Sequence, residues 1–241
     1  MRSGLWWALT VGLLPLVLPM AIYTRATARR LPEAAGAKEG LAGKSFSGEA
    51  FVLVLIGEST VAGVGVASHE QALSGQLAEQ LAQRLRRPVQ WRAVGENGIT
   101  AGQSCERLLA EATAQPADLL LVVLGVNDTT HLTSIANWQA ALRRIAQAGL
   151  QSGAQVAYCA VPPLEHFRAL PWLLRRLLGW RARLLDQAMR GVAATCAAQH
   201  CALTLSFEAD FLAEDGYHPS AKGYRLWAQG LVQQLRLTAA E

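Results

Sequence analysis

The chain has 241 residues, of which 51% are hydrophobic, and its formal net charge is +4 at pH 7. This length can bury a sizeable core in one domain, or in two. Six of the Lys and Arg residues fall within residues 1–50 against three Glu, so the rest is close to neutral. A nucleic-acid binder would carry a basic patch on its folded domain, and this charge distribution argues against that class.

Four cysteines, Cys105, Cys159, Cys196 and Cys201, lie among Ala, Leu and Val. This setting predicts buried free thiols; in an exported domain one disulfide would be possible, with a pairing that the sequence does not identify. Cys196 and Cys201 flank His200, but no C-x-x-C pair or second cluster accompanies them. The sequence therefore indicates neither a metal nor an organic cofactor.

The first hydrophobic segment, Leu5–Tyr23, contains no charged residue. Nineteen residues span about 28 Å as a helix, close to the hydrocarbon thickness of a bilayer. Trp6 and Trp7 at one end and Tyr23 at the other suit the two membrane interfaces. Residues 1–28 are predicted to be a single N-terminal membrane anchor, so the membrane is an expected partner.

A cleaved signal peptide is the alternative, with Ala26–Ala28 as its small-residue site. The membrane side of the domain stays open as well. Arg25, Arg29 and Arg30 follow the hydrophobic segment and favour a cytoplasmic domain by the positive-inside rule, but export is also compatible with the sequence. Residues 29–49, rich in Gly, Ala and Ser, are predicted to be a flexible linker.

From residue 50 onward, apolar strand patterns alternate with amphipathic helix patterns, which is typical of parallel α/β domains. Strands are predicted within Phe51–Thr60, where the apolar run stops at Gly57, and at Val89–Val94, Asp118–Gly125, Gln155–Val161 and Cys201–Leu205. Helices are predicted at Ala72–Leu85, Ser104–Ala114, Ile135–Ala148, Arg181–Gln199 and Ala221–Leu235. Because helices lie between the strands, the fold class is α/β with helices on both faces of a parallel sheet.

Polar residues with catalytic potential follow these strands. Ser59 comes directly after the first strand, Asn127 follows the central one, and Asp215 and His218 lie in one loop before the last helix. A serine hydroxyl needs a base, and the base needs a partner that fixes its tautomer. Gly98 and Asn127 are the two residue types that supply backbone and side-chain donors to an oxyanion hole.

The blocks Gly57-Glu58-Ser59, Asn97-Gly98-Ile99-Thr100, Gly125-Val126-Asn127-Asp128 and Asp215-Gly216-Tyr217-His218-Pro219-Ser220 resemble, in this order, the four motifs of the SGNH (GDSL-type) hydrolase family. The resemblance runs from about residue 50 to the C-terminus, so residues 50–241 are predicted to be the hydrolase domain. It implies a three-layer α/β/α sandwich with five parallel strands in the order 2-1-3-4-5.

By this resemblance Ser59 is the nucleophile of an esterase, and Asp215 and His218 complete its catalytic triad. The backbone N–H groups of Ser59 and Gly98 and the side-chain amide of Asn127 are the implied oxyanion hole. Gly102 is the alternative to Gly98, which keeps the Gly-x-Thr pattern.

Glu58 departs from the family, which usually has Asp at this position. Its extra methylene moves the carboxylate, so the sequence does not say how Glu58 supports the serine loop. The nucleophile elbow of α/β-hydrolases, G-x-S-x-G, would need glycine where this chain has Val61.

Simpler roles exist for each candidate residue taken alone. Ser59 could cap a helix, Asn127 and Asp128 could form a turn, and Ser220 could be an N-cap. Acyl transfer or deacetylation on a cell-envelope glycan, and a non-catalytic module with the same fold, are the alternative functions.

The remaining segment, Arg168–Trp180, is either a helix on the sheet, a cap over the acyl pocket or a surface against a bilayer.

Overall fold

A computed structural model describes residues 3–203 and 210–237 of the chain. Its strands are β1 (Glu39–Ala42), β2 (Phe51–Gly57), β3 (Val89–Gly95), β4 (Leu119–Val123), β5 (Gln155–Cys159) and β6 (Gln199–Cys201). Its α-helices are α1 (Ser3–Gly12), α2 (Leu14–Thr27), α3 (Leu73–Leu85), α4 (Ala101–Arg107), α5 (Leu109–Ala112), α6 (Val126–Thr130), α7 (Ile135–Gln151), α8 (Trp172–Thr195) and α9 (Ala221–Gln234).

The sheet has the order β1-β3-β2-β4-β5-β6. Its last five strands are parallel, in the predicted order, and β2 and β4 are neighbours at the centre. From β2 the chain continues to β3, which lies on one side of β2, and then crosses to β4, which lies on the other side. This reversal is the topological switch point, where ligands bind in open α/β sheets.

Side chains of β2 alternate between two hydrophobic cores. Leu53 and Leu55 pack with α3 and α9 on one face of the sheet, and Val54 and Ile56 pack with α4, α7 and α8 on the other. All four side chains are fully buried. A strand that is covered on both faces reads as a continuous apolar run, which explains why the sequence pattern predicted β2 and β4 well.

A sixth strand, β1, corrects the expectation of a five-stranded sheet. It pairs antiparallel with β3, with Gly40 opposite Trp91. Its partly buried positions are the small residues Gly40 and Ala42, whereas its one large apolar residue, Leu41, is exposed. The sequence therefore shows no alternating apolar pattern for this edge strand. It lies inside the segment predicted as linker, where Ala34 and Ala35 also donate hydrogen bonds to Ala62 and Ala67. The domain boundaries themselves stay predictions.

The expected single anchor helix is also corrected, because α1 and α2 are bent by 85° at a break around Leu13. Pro15 has no N–H to donate to the carbonyl of Val11, and its ring clashes with that carbonyl in a continuous helix. The next N–H, of Leu16, bonds to Leu13 instead. Within residues 3–203 and 210–237, no single helix is long and apolar enough to cross a membrane. Only α1 and α2 taken together have the length and the apolar composition of a membrane span.

The helix predicted from Arg181 begins nine residues earlier, at Trp172, and continues to Thr195 as α8. Leu174 and Leu177 are buried, so most of the Arg168–Trp180 segment packs as an ordinary amphipathic helix, while Trp172 is 67% exposed. The strand predicted at Cys201–Leu205 overlaps the observed β6, Gln199–Cys201, only at Cys201. Ala202 and Leu203 are not in a strand, and the last two predicted positions, 204 and 205, lie outside the described residues. Cys105, Cys159 and Cys201 are buried free thiols, as predicted, and Cys196 is a partly buried one.

Candidate active site

Ser59 lies at the carboxyl end of β2, immediately after a glycine that the fold requires. A Cβ on Gly57 would overlap the carbonyl oxygen of Val123 on β4, so only glycine lets the two strands approach here. The chain then turns, and the carbonyl of Glu58 accepts hydrogen bonds from the N–H groups of Val61 and Ala62. Ser59 is thereby held at the switch point of the sheet, with 8% of its surface exposed.

The loop that carries His218 is closed by its own backbone. Ala213 donates to the carbonyl of His218 (2.7 Å), and Ser220 donates to that of Phe211 (2.8 Å). The Ser220 hydroxyl then caps α9. On α9, the buried hydroxyl of Tyr224 donates to the carbonyl of Val64 at 2.7 Å. This hydrogen bond fixes the start of α9 against the turn that follows Ser59, so two segments far apart in sequence meet.

The three predicted triad residues lie in one hydrogen-bonded line. Nε2 of His218 is 2.9 Å from Oγ of Ser59, and Nδ1 of His218 is 2.6 Å from Oδ2 of Asp215. With the ring proton on Nδ1, the imidazole donates to Asp215 and accepts from the serine hydroxyl. This is the arrangement in which a serine can lose its proton to a base.

The second oxygen of Asp215 also has partners. Oδ1 accepts the backbone N–H groups of Tyr217 (2.9 Å) and His218 (3.0 Å). Burial raises the pKa of Asp215, but the hydrogen bond from the His218 ring and these two N–H groups outweigh it and hold the pKa below its ordinary value. Asp215 is therefore a carboxylate at neutral pH and can stabilise a protonated His218.

Two of the predicted oxyanion donors are backbone N–H groups of neighbouring loops. The end of β2 pairs with the end of β3 at Gly57 and Gly95, so Ser59 and Gly98 leave the sheet side by side. Gly98 has φ +85° and is exposed. Among the described residues, neither the N–H of Ser59 nor that of Gly98 has a hydrogen-bond acceptor.

Asn127, the third predicted donor, has both amide hydrogens engaged. Its Nδ2 donates to Oε2 of Glu58 at 2.8 Å and to the carbonyl of Ile99 at 3.1 Å. Asn127 is the second residue of the short helix α6, which follows Gly125; the φ of Gly125 is +129°, and a Cβ there would lie 2.7 Å from Val161. The sequence placed Asn127 at this edge of the sheet, but it did not predict these two acceptors.

Glu58 is the functional candidate that sequence reasoning missed. Its carboxylate is buried and accepts the N–H groups of Val126 (3.0 Å) and Asn127 (2.9 Å) besides the Asn127 amide. Burial raises the pKa of Glu58 to about 8, and the N–H donors offset only part of this effect. The available signal was its position, beside the serine, where the resembling family carries a shorter acid.

An apolar pocket opens beside Ser59 and His218. Its walls include the side chains of Val126, Pro162, Phe167, Phe211, Tyr217 and Trp227. The ring of Tyr217 packs edge-on against Phe167 and against the imidazole of His218, with centroids 4.8 and 5.4 Å apart. Such a lining suits the hydrocarbon part of a substrate whose polar group faces the serine.

A mostly parallel α/β sheet with a serine, a histidine and an acid gathered at its switch point defines a hydrolase-like α/β protein. The model of the GDSL-like lipase/acylhydrolase family matches residues 55–226, and the chain belongs to this family. Membership makes the domain one of the class of hydrolases that act on ester bonds, which the sequence predicted.

Individual relatives agree with this family. A GDSL-like esterase of Mycobacterium tuberculosis is 28% identical over 192 residues, which cover 76% of this chain and 61% of that protein. The chain thus matches less than two thirds of that relative's length.

Solved structures show the likeness of fold. A lipase/acylhydrolase from Enterococcus faecalis has a TM-score of 0.64 at 21% identity, covering 79% of this chain and 99% of its own. The esterase EstA from Pseudoalteromonas sp. has a TM-score of 0.60 at 16% identity, covering 76% and 95%.

Proposed function

We propose that this protein is a serine esterase that works through an acyl-enzyme on Ser59. The observation that carries the proposal is the line from Ser59 Oγ through His218 to Asp215, with hydrogen-bond distances of 2.9 and 2.6 Å. Family membership supports the ester as the bond that is cleaved.

In the first half of the reaction, Ser59 Oγ attacks the ester carbonyl carbon while His218 Nε2 takes the hydroxyl proton. Asp215, whose pKa is held low, stabilises the imidazolium that forms. The N–H groups of Ser59 and Gly98 and the amide of Asn127 donate to the oxyanion. The tetrahedral intermediate then expels the alcohol, which leaves with the proton from His218.

In the second half, His218 activates a water molecule, which attacks the acyl-enzyme carbonyl. The carboxylic acid leaves and the proton returns to Ser59. The hydrogen-bond donors to the oxyanion are again the backbone N–H groups and the side-chain amide of the chain itself. The apolar pocket beside Ser59 would hold the acyl chain.

The test is Ser59→Ala in the full-length protein, with p-nitrophenyl acetate as substrate. We expect turnover to fall by more than about 10⁴-fold, because the proposed mechanism forms its acyl-enzyme on this hydroxyl. Ser152→Ala is the matched control, since this serine only caps α7 at the surface, and it should keep full activity. Substantial hydrolysis by Ser59→Ala would refute the assignment of the nucleophile.

Two alternatives are separated by further measurements. In acyl transfer, an added acceptor alcohol would appear as the acylated product in place of free acid. A non-catalytic module with this fold would fail to react with a fluorophosphonate, because an unactivated serine is a poor nucleophile. The hydrogen bond from Ser59 to His218 favours the enzyme over the module.

We also propose that the protein associates with a membrane through α1 and α2, as peripheral helices on the domain. Nine apolar side chains of the two helices are exposed: Leu5, Trp7, Leu9, Val11, Leu14, Leu16, Leu18, Ile22 and Tyr23. Residues 3–32 contain no acidic residue, whereas Arg25, Arg29 and Arg30 follow the apolar surface. An apolar surface bordered by arginines complements an anionic bilayer.

The attachment of these helices to the domain supports a peripheral arrangement. Trp6 is buried, its Nε1 donates to the carbonyl of Leu177 on α8, and Arg181 lies over its ring. Arg29 pairs with Glu214 at 2.8 Å, beside Asp215. A bilayer against α1 and α2 would therefore lie near the loop that carries His218.

A further inference from the structure

Glu58 connects the segment that carries Ser59 with the helix that carries Asn127. Its Oε1 accepts the N–H of Val126 at 3.0 Å, and its Oε2 accepts the backbone N–H of Asn127 at 2.9 Å. The same Oε2 accepts the Asn127 side-chain amide at 2.8 Å. A single buried carboxylate, next in sequence to the serine, thus holds the first turn of α6 by three donors.

These contacts fix the orientation of the Asn127 side chain. A primary amide has two N–H donors; one points at Glu58 and the other at the carbonyl of Ile99, 3.1 Å away. A rotation of the amide about its terminal bond would put its oxygen where Nδ2 now lies, against two acceptor oxygens, Oε2 of Glu58 and the carbonyl of Ile99. Glu58 therefore selects one of the two amide orientations, the one with its donors on the side of the Glu58 and Ile99 oxygens.

The Ile99 contact is the exchangeable one of the two. It is the longer of the two bonds, 3.1 Å against 2.8 Å for the bond to Oε2 of Glu58. A developing oxyanion accepts a hydrogen bond more strongly than a neutral carbonyl does. The N–H that Ile99 holds can thus pass to the oxyanion while Glu58 keeps the other.

We propose that Glu58 is a positioning residue for the oxyanion hole, which holds the Asn127 amide so that the N–H now bound to Ile99 is delivered to the oxyanion. This inference rests on the proposed function, since it presupposes an oxyanion at Ser59. The role is geometric: the carboxylate contacts Asn127, and the substrate contacts Asn127 in turn. A structural role alone would change stability and leave the chemical step unaltered.

The decisive experiment is a double-mutant cycle on kcat of the full-length protein with p-nitrophenyl acetate, using Glu58→Gln and Asn127→Ala. Glutamine keeps the length of the side chain but replaces one acceptor oxygen with an NH₂ group that faces N–H donors. Asn127→Ala alone should cost on the order of 10²-fold in kcat, as the loss of one oxyanion donor does.

Glu58→Gln alone should lower kcat by about 10-fold or more with KM changed less than about 3-fold, because only the transition state is affected. In the Asn127→Ala background the same substitution should cost less than about 3-fold, because the donor it positions is gone. Equal costs in both backgrounds, or an unchanged kcat in Glu58→Gln, would overturn the proposal.

Glu58→Asp completes the set, because it keeps both acceptor oxygens and shortens the side chain. We expect it to retain more kcat than Glu58→Gln, and it replaces that variant in the cycle should glutamine prevent folding. Asp118→Asn is the matched control: its carboxylate also accepts a backbone N–H, from Val52 at 2.6 Å, at the opposite edge of the sheet. It should lower stability and leave kcat unchanged.

The outcomes separate this role from the proposed function. A wild-type protein without esterase turnover would overturn both, whereas an active wild type with additive losses would overturn the role of Glu58 alone.

Discussion

Two acidic side chains flank Ser59, and their surroundings shift their pKa values in opposite directions. Asp215 lies in a half-buried loop, where the His218 ring and two backbone N–H groups favour the charged form. Glu58 also receives three N–H donors, but burial dominates and raises its pKa to about 8. Neighbouring acids with separated pKa values are a common feature of active sites, and here each is fixed by a different loop.

Stability should depend on pH through Glu58. Between about pH 4.5 and 8 the folded protein retains a proton that unfolded Glu58 has released, so the free energy of unfolding falls as pH rises through this window. Glu58→Gln removes this titration, and the fall should become shallower by up to about 1.4 kcal/mol per pH unit. Urea unfolding at several pH values measures the slope; equal slopes in both proteins would contradict the expectation.

At the scale of elements, the site depends on how closely β2 approaches β4. A glycine stands at the end of β2 and another just after β4, each at a close contact. A Cβ on Gly57 would overlap the Val123 carbonyl of β4, and a Cβ on Gly125 would lie 2.7 Å from Val161, which follows β5. The loops with Ser59 and Asn127 leave the sheet directly after these glycines. The packing of the two strand ends therefore sets the distance between nucleophile and oxyanion donor.

Gly57→Ala should lower the free energy of unfolding by at least about 2 kcal/mol, because the new methyl group must displace backbone rather than a flexible side chain. Esterase turnover should fall as well, since Ser59 is two residues away. Gly191→Ala is the control: this glycine lies on the exposed face of α8, with nothing within 4 Å of a Cβ. It should stabilise by about 0.4–1 kcal/mol. Thermal and urea unfolding of the two variants give the comparison.

At the scale of the whole molecule, the N-terminal helices are part of the packed structure, and they carry nine of the thirteen large hydrophobic side chains that are exposed among the described residues. Trp6 attaches α1 to α8, and the ion pair of Arg29 with Glu214 attaches the segment after α2 to the loop of the active site. A peripheral membrane contact through these helices would bring an apolar ester in the bilayer close to the pocket beside Ser59.

Replacement of exposed apolar residues on α2 tests this contact. Leu16→Glu with Ile22→Glu should weaken sedimentation of the full-length protein with phosphatidylglycerol vesicles by at least about tenfold, because two leucine-sized side chains lose their burial in lipid. Leu150→Glu, at an exposed leucine of α7, is the matched control and should bind as the wild type does. Unchanged binding of the α2 variant would exclude this surface as the membrane contact.

The sequence by itself determined those strands and helices in which the pattern of apolar residues reflects which side chains are buried. The runs at β2 and β4 are apolar because both faces of the central strands are covered, and this pattern also located Ser59 and Asn127 at strand ends. The short spacing between Asp215 and His218 predicted that they share one loop, and the two residues are indeed hydrogen-bonded.

Tertiary structure alone decided the rest. The β1 edge strand is held by backbone pairing, which carries no side-chain period. The 85° bend between α1 and α2 accompanies the docking of Trp6 onto Leu177, a contact 171 residues away in sequence. The reach of Glu58 to α6 depends on the distance between two strand ends. Sequence patterns record which side chains are buried, whereas these features depend on which distant groups meet, and only the folded chain determines that.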